Sequence, residues 1–134
     1  MNIEEAFTDY LLDHAGLKAL ISSKLYPEEV PQGTKLPAVF WIKVSDIKDH
    51  YLTKQCELER PIYQFTAQAS AKTGAKAVAT QLKLALSDYQ GTMNGVVVQK
   101  IELQNEMSSL EKSSDGTTKV FYEDLEFEIN FVKE

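Results

Sequence analysis

The first residues alternate apolar and acidic side chains at the spacing of an amphipathic helix. Asn2 is suited to cap this helix, and Glu5, three residues later, completes a capping box. Gly16 is expected to end it, and residues 17–21 suggest a second short helical turn. The inward-facing positions of the first helix are predicted to be Ile3, Phe7, Tyr10 and Leu11.

Further along the chain, the residue pattern changes to that of β-strands. Ala38–Ser45 is rich in β-branched and aromatic residues, and Pro61–Ala69 alternates apolar with polar positions. Val96–Leu103 is predicted as a third strand. The last strand has the clearest alternation, with the apolar positions Leu125, Phe127, Ile129 and Phe131.

An alanine-rich amphipathic helix is expected between the second and third strands. Ser70 or Thr73 would cap its start, and Gly91 would close it. Its apolar stripe is predicted to contain Ala75, Val78, Ala79, Leu82, Ala85, Leu86 and Tyr89.

These elements predict a single α+β domain over residues 1–134, in the order α–β–β–α–β–β. Two hairpins joined by a helix would form one mainly antiparallel four-stranded sheet, with two helices packed on its apolar face. Two long polar loops, Asp46–Glu59 and Gln104–Thr117, would extend from this scaffold. Loops of this length in a small domain usually have a function.

The charge distribution argues against binding to nucleic acid. The formal net charge is −6, and an acidic domain gains little from the counterion release that drives phosphate binding. The first helix carries acids from Glu4 to Asp13, whereas Lys72, Lys76 and Lys83 lie on the alanine-rich helix. An acidic and a mildly basic surface would suit subunits that meet head to tail.

The lone cysteine, Cys56, cannot form an intramolecular disulfide, so a reducing compartment is expected. The N-terminus lacks the basic and apolar regions of a signal peptide. No apolar run approaches the roughly 20 residues needed to span a bilayer. The sequence therefore predicts a protein that is made and stays soluble in a cytoplasm, without a membrane partner.

Few side chains are suited to catalysis or metal binding. His14 and His50 have no zinc-ligand spacing with Cys56, so a helix-end His14 and a solvent-exposed His50 are the favoured interpretations. Strand alternation divides a group of acids between two faces, which favours a solvated acidic stripe over a calcium site. These acids are Glu123, Asp124, Glu126 and Glu128. No enzyme, cofactor or metal site is predicted.

The order and spacing of several short motifs resemble the tail-completion or head–tail joining proteins of long-tailed (siphovirus-type) bacteriophages and prophages. The motifs, which run over almost the whole chain, are Leu25-Tyr26-Pro27, Pro31-Gln32-Gly33, Leu36-Pro37-Ala38-Val39-Phe40, Arg60-Pro61-Ile62-Tyr63-Gln64-Phe65, Ala75-Lys76-Ala77-Val78-Ala79 and Tyr122-Glu123-Asp124-Leu125-Glu126-Phe127.

This resemblance implies a non-enzymatic structural protein of the phage neck that forms a hexameric ring between tail tube and head connector. Its partners would be further copies of itself, the tail-tube protein and head-completion or neck proteins, with DNA only passing through the channel. Each subunit could remain a monomer before assembly, and its location would be the virion after synthesis in the host bacterial cytoplasm. The resemblance implies an interface in the two long loops, at Asp46, Lys48, Asp49, His50, Tyr51, Lys54, Glu57, Glu106, Lys112 and Asp115.

An acidic protein suits a channel through which DNA must slide without binding. We therefore expect an acidic lumen, with the helix that carries the three lysines facing a neighbour or the outside. The alternative is a small non-enzymatic binding or regulatory module of a bacterial genome or prophage. A hydrolase that uses His50 and Cys56 is a remote third hypothesis, and the residues do not separate tail completion from tail termination.

Overall fold

The computed structural model describes residues 2–50, 55–112 and 118–132. The elements are, in chain order, α1 (Ile3–Leu12), α2 (Ala15–Ile21), β1 (Leu25–Pro27), β2 (Ala38–His50), β3 (Gln55–Ala69), α3 (Lys72–Leu86), β4 (Gly91–Met93), β5 (Val96–Lys112) and β6 (Lys119–Val132).

The strands form one six-stranded sheet in the order β1-β2-β3-β6-β5-β4, curled into a half-barrel. Strand β1 runs parallel to β2, and the other neighbouring strands are antiparallel. The prediction of a four-stranded, mainly antiparallel sheet with two helices was therefore wrong. Strands β1 and β4 have three residues each, too few for an alternating pattern, and only their pairing makes them strands.

The first two helices meet at a tight junction. The capping box of Asn2 and Glu5 is confirmed, but α1 ends at Leu12 instead of at Gly16. The imidazole Nδ1 of His14 then accepts a hydrogen bond from the backbone of Leu17 and caps α2, as a helix-end histidine should. Gly16 lies inside α2, where a Cβ atom would overlap the Gln81 side chain of α3. Glycine thus leaves room for the end of this side chain between the two helices.

Helix α3 buries the predicted apolar stripe from Ala75 to Leu86, but Tyr89 lies beyond its end and is only partly buried. The two ends of the helix also differ from the prediction. Ala71 occupies the N-cap position without a side-chain hydrogen bond, so neither Ser70 nor Thr73 is the cap. The helix ends before Ser87, and Gly91 instead begins β4 with a φ of 146°.

The two segments predicted as long polar loops are largely strands. Asp46–His50 continues β2, residues 55–59 begin β3, and residues 104–112 continue β5. Residues 51–54 and 113–117 lie outside the described residues. The sequence pattern did not predict the extension of β5, because the side chains of residues 104–112 are exposed on both faces of the strand. This exposure removes the apolar alternation typical of a strand.

The core lies between the helices and one face of the sheet. Phe7 of α1 packs edge-to-face on Trp41, Tyr63 and Phe65, with ring centroids 5.0–5.2 Å apart. The buried Tyr63 hydroxyl donates a hydrogen bond to Glu4 Oε2 at 2.9 Å. Burial first, and then this hydrogen bond, raise the pKa of Tyr63 well above its usual range. The contact fixes α1 on the sheet.

Candidate functional site

The sheet face that points away from the helices, here called the outer face, carries a row of acids. Asp124, Glu126 and Glu128 alternate along β6 with buried apolar residues, which confirms the predicted stripe. Alternate residues on a strand are roughly 7 Å apart. Glu102 of β5 lies directly opposite Glu128, and like charges in this arrangement repel. Within the described parts of the chain, no ion pair includes any of these four acids.

One of these carboxylates is held in place by its neighbours on the outer face. The buried Thr66 hydroxyl donates a hydrogen bond to Asp124 Oδ1 at 2.8 Å. Thr66 itself accepts a hydrogen bond from Gln64 Nε2 at 3.0 Å. The negative charge of Asp124 is therefore positioned by side chains of β3, and no cation among the described residues forms an ion pair with it.

Glu123 lies on the opposite, helix-covered face and is 2% exposed. Its carboxylate accepts a hydrogen bond from the Ser108 hydroxyl and lies 3.4 Å from Lys76 Nζ. Lys83 Nζ lies 3.0 Å from Glu106 Oε2. Two of the three lysines expected to form a basic surface are thus paired within their own chain. Strand alternation placed Glu123 on this face, but the sequence contains no signal that identifies Lys76 as its partner.

Two arms extend from opposite ends of the sheet and carry some of the described residues that were predicted as an interface, whereas Asp46 and Glu106 lie level with the central strands. The β2–β3 arm extends to the pair His50–Gln55, beyond Leu58, which pairs with Val132. The β5–β6 arm extends to the pair Lys112–Lys119, beyond the end of β3. Because β3 and β6 are antiparallel, the connection that precedes β3 and the one that precedes β6 lie at opposite ends.

Individual interface candidates differ in how they are placed. Asp46 forms an ion pair with Lys43 at 3.0 Å, and Glu106 forms the pair with Lys83. Lys112 is exposed at the end of β5. Lys48, Asp49, His50 and Glu57 belong to the strands of the β2–β3 arm, while Tyr51, Lys54 and Asp115 lie outside the described residues.

A groove of about 720 Å³ lies between residues 29–36 and the outer face. Its lining includes Phe40 and three acids, Glu29, Glu111 and Asp124. Burial and the nearby carboxylate of Glu111, to which its hydroxyl is hydrogen-bonded, raise the pKa of Tyr122 in this wall. The described residues that line the groove include no histidine or cysteine.

Within the described residues, no group of three or more His, Cys, Asp or Glu side chains is arranged to hold a metal ion. None of the helices in this part of the chain is long and apolar enough to cross a membrane. The histidine of the hydrolase hypothesis, His50, pairs with Gln55 next to Cys56, at the end of the β2–β3 arm.

Comparison with known proteins agrees with this architecture. The family model of the tail completion protein gp17 matches residues 5–124, which confirms the resemblance found in the ordered motifs. A chain in the virion of a native gene transfer agent (GTA) particle has the same fold, with a TM-score of 0.72 and 17% identity. The match covers 97% of this chain and 94% of that chain. No curated protein matches.

Proposed function

Because this chain belongs to the tail completion protein gp17 family and is a structural protein of a virion's tail or neck, we propose that it joins tail to head. Six copies form a ring at the head-proximal end of the tail, between the tail tube and the head connector. The match of the family model over residues 5–124 carries this proposal. The subunit works by contact and not by catalysis.

The two arms support a joining role. A subunit between two partners needs contact surfaces at both ends, and the β2–β3 and β5–β6 arms project from opposite ends of one sheet. One arm meets the tail tube and the other meets a neck protein. Extended structures at the ends of a rigid sheet are well placed to bind partners.

The distribution of charge supports an orientation of the subunit in the ring. DNA passes most freely along a wall that repels phosphates, and the acids of the outer face carry negative charge without paired cations. The outer face therefore lines the channel. Helix α3, on the other side of the sheet, then points away from the channel with Lys72, Lys76 and Lys83.

Deletion and add-back test the joining role. A lysate that lacks this gene is expected to contain full-length tails and filled heads that fail to join, as seen by negative-stain microscopy. Purified protein added to that lysate restores joined particles. Normal virions from the deletion would contradict the proposal and favour a small binding or regulatory module.

Charge reversal tests the orientation separately. Replacing Glu126 and Glu128 with lysine places cations along the channel, where each phosphate contact adds affinity for DNA. Heads and tails are expected to join, but the DNA is released poorly and infectivity falls. The control, Asp9→Lys with Asp13→Lys, makes the same charge change on α1 and leaves infectivity unchanged. Equal infectivity for both variants would contradict a channel lined by the outer face.

A further inference from the structure

The long strands β2 and β5 are only partly covered by the short strands β1 and β4 at the two edges of the sheet. Strand β1 pairs with β2 only from Val39 to Trp41. Strand β4 pairs with β5 only from Val96 to Val98, and Asp88 and Tyr89 then bond to Ile101. Beyond these contacts, no described backbone group bonds to the outer edge of β2 over residues 42–50 or of β5 over residues 103–112.

The two open edges begin at the same level of the sheet and belong to strands that run antiparallel to each other. Across the sheet, Ile42 pairs with Gln64, Gln64 with Glu126, and Glu126 with Asn105. The open part of β2 thus begins level with the open part of β5, on the opposite side of the molecule. Strand β5 runs antiparallel to β2, since three antiparallel steps separate them. A neighbour's β2 laid beside β5 would therefore continue the antiparallel order.

Exposed apolar side chains occur on both open edges. Val44, at a bulge in β2, is 48% exposed. Met107 and Leu110 on β5 are 48% and 46% exposed. An additional strand beside either edge would cover one flank of these side chains, because directly opposed residues in a sheet contact each other.

We propose that these edges join neighbouring subunits, with β2 of one copy pairing with β5 of the next. The inference rests on the proposed ring and specifies its lateral contact. Such a contact uses two different surfaces, so it repeats head to tail until the ring closes. From their level starting point the open edges extend toward opposite ends of the sheet. For the open edge of β2 to overlap fully with that of a neighbour's β5, the two subunits must be shifted along the strands. In a closed ring, such a shift means that the strands are tilted against the ring axis, as in any closed barrel.

The same edges carry features that discourage premature pairing. The bulges at Val44 and at Gln104 interrupt the regular ladder, and Lys43 adds a charge to the β2 edge. Natural sheets use bulges and edge lysines to prevent uncontrolled association. Free subunits therefore stay apart, and pairing begins when the tail end aligns them.

Lysine substitutions on each edge test the pairing. Val44→Lys blocks the β2 edge, and Met107→Lys with Leu110→Lys blocks the β5 edge. Leu84→Lys is the control, because Leu84 is a 68% exposed apolar residue of α3, away from both edges. All variants are first checked for wild-type circular dichroism and unfolding midpoint. Each edge variant, added to tails from the deletion, is expected to restore no joining, while the control restores it fully.

Mixing the two edge variants gives a sharper readout. Each variant keeps one working edge, so the mixture can form one junction and no more. Cross-linking on isolated tails is expected to give closed rings for wild type, single subunits for each variant alone, and pairs for the mixture. Rings from either variant would overturn the edge pairing and leave the ring intact. Absence of rings from wild-type protein would instead contradict the proposed function.

Discussion

Strand β6 has two faces with opposite properties. The contrast distinguishes residues that stabilise the fold from residues that do not. Its helix-covered face presents Leu125, Phe127 and Ile129, each fully buried. Its outer face presents half-buried acids one residue away from them, and Glu128 faces Glu102. Burying a large apolar side chain stabilises a fold by about 1.5–3 kcal/mol, whereas opposed like charges destabilise it. The acids are therefore not explained by folding, which supports the proposal that the outer face lines a channel.

The largest difference between the faces is expected at Phe127. Phe127→Ala removes a ring that packs on Phe65 at 6.0 Å and leaves a cavity under α3. It should lower the free energy of unfolding by about 3–5 kcal/mol. Glu126→Ala, its neighbour on the outer face, should change it by less than about 0.5 kcal/mol. Urea denaturation compares the two, and equal losses would break the distinction between the faces.

Substitution of Glu123 tests whether an acid on the helix-covered face contributes more to stability than the acids of the outer face. Glu123→Ala removes the acceptor of the Ser108 hydroxyl and the partner of Lys76, and should cost about 0.5–1.5 kcal/mol. Lys76 is half exposed, so most of this loss comes from the partly buried hydrogen bond to Ser108 and not from the ion pair. The matched control is again Glu126→Ala, measured by urea denaturation. A loss no greater than that of the control would show that the contacts of Glu123 do not stabilise the fold.

Tyr63 connects the helix-covered face to α1, and its contribution to the stability of the fold depends on pH. The folded-state pKa of Tyr63 lies above the unfolded value near 10, because of burial and the hydrogen bond to Glu4. The unfolded state therefore loses its phenol proton first as pH rises. This contribution is complete below about pH 10 and declines above it.

The substitution Tyr63→Phe measures that contribution. It should cost about 0.5–1.5 kcal/mol at pH 7, because it removes the hydrogen bond. It should also make the alkaline loss of stability shallower, as followed by denaturation at several pH values. Tyr26→Phe, at a half-exposed position, is the control and should leave the alkaline slope as in the wild type. An unchanged slope for Tyr63→Phe would contradict the assignment.

The smallest effect is expected on the outer face itself. Glu102→Gln removes the charge opposite Glu128 and should stabilise the fold by roughly 0.2–1 kcal/mol. Because salt screens exposed charges, the gain should shrink at high ionic strength. Asp88→Asn, at an exposed position between α3 and β4, is the control and should give a smaller gain. Thermal unfolding at two salt concentrations tests this, and a loss of stability would mean that Glu102 has a stabilising contact.

The sequence was most informative where one face of an element is buried. Phe127 and its alternate neighbours predicted β6, and Val78 with its helical neighbours predicted α3. The three-residue strands β1 and β4 were missed, since three residues are too few to show an alternating pattern. Residues 104–112 of β5 were predicted as a loop because exposure of their side chains on both sides removes the alternation. The outer acids were found by that alternation, but the open edges of β2 and β5 follow from strand order, which no local pattern contains.

A reconstruction of the intact neck, resolved to side chains, tests the central claim most directly. The account predicts six copies in a ring between tail tube and head connector. Asp124, Glu126 and Glu128 line the channel, and α3 lies on the outside. A ring whose channel is lined by Lys72, Lys76 and Lys83, or a neck without this chain, would contradict it.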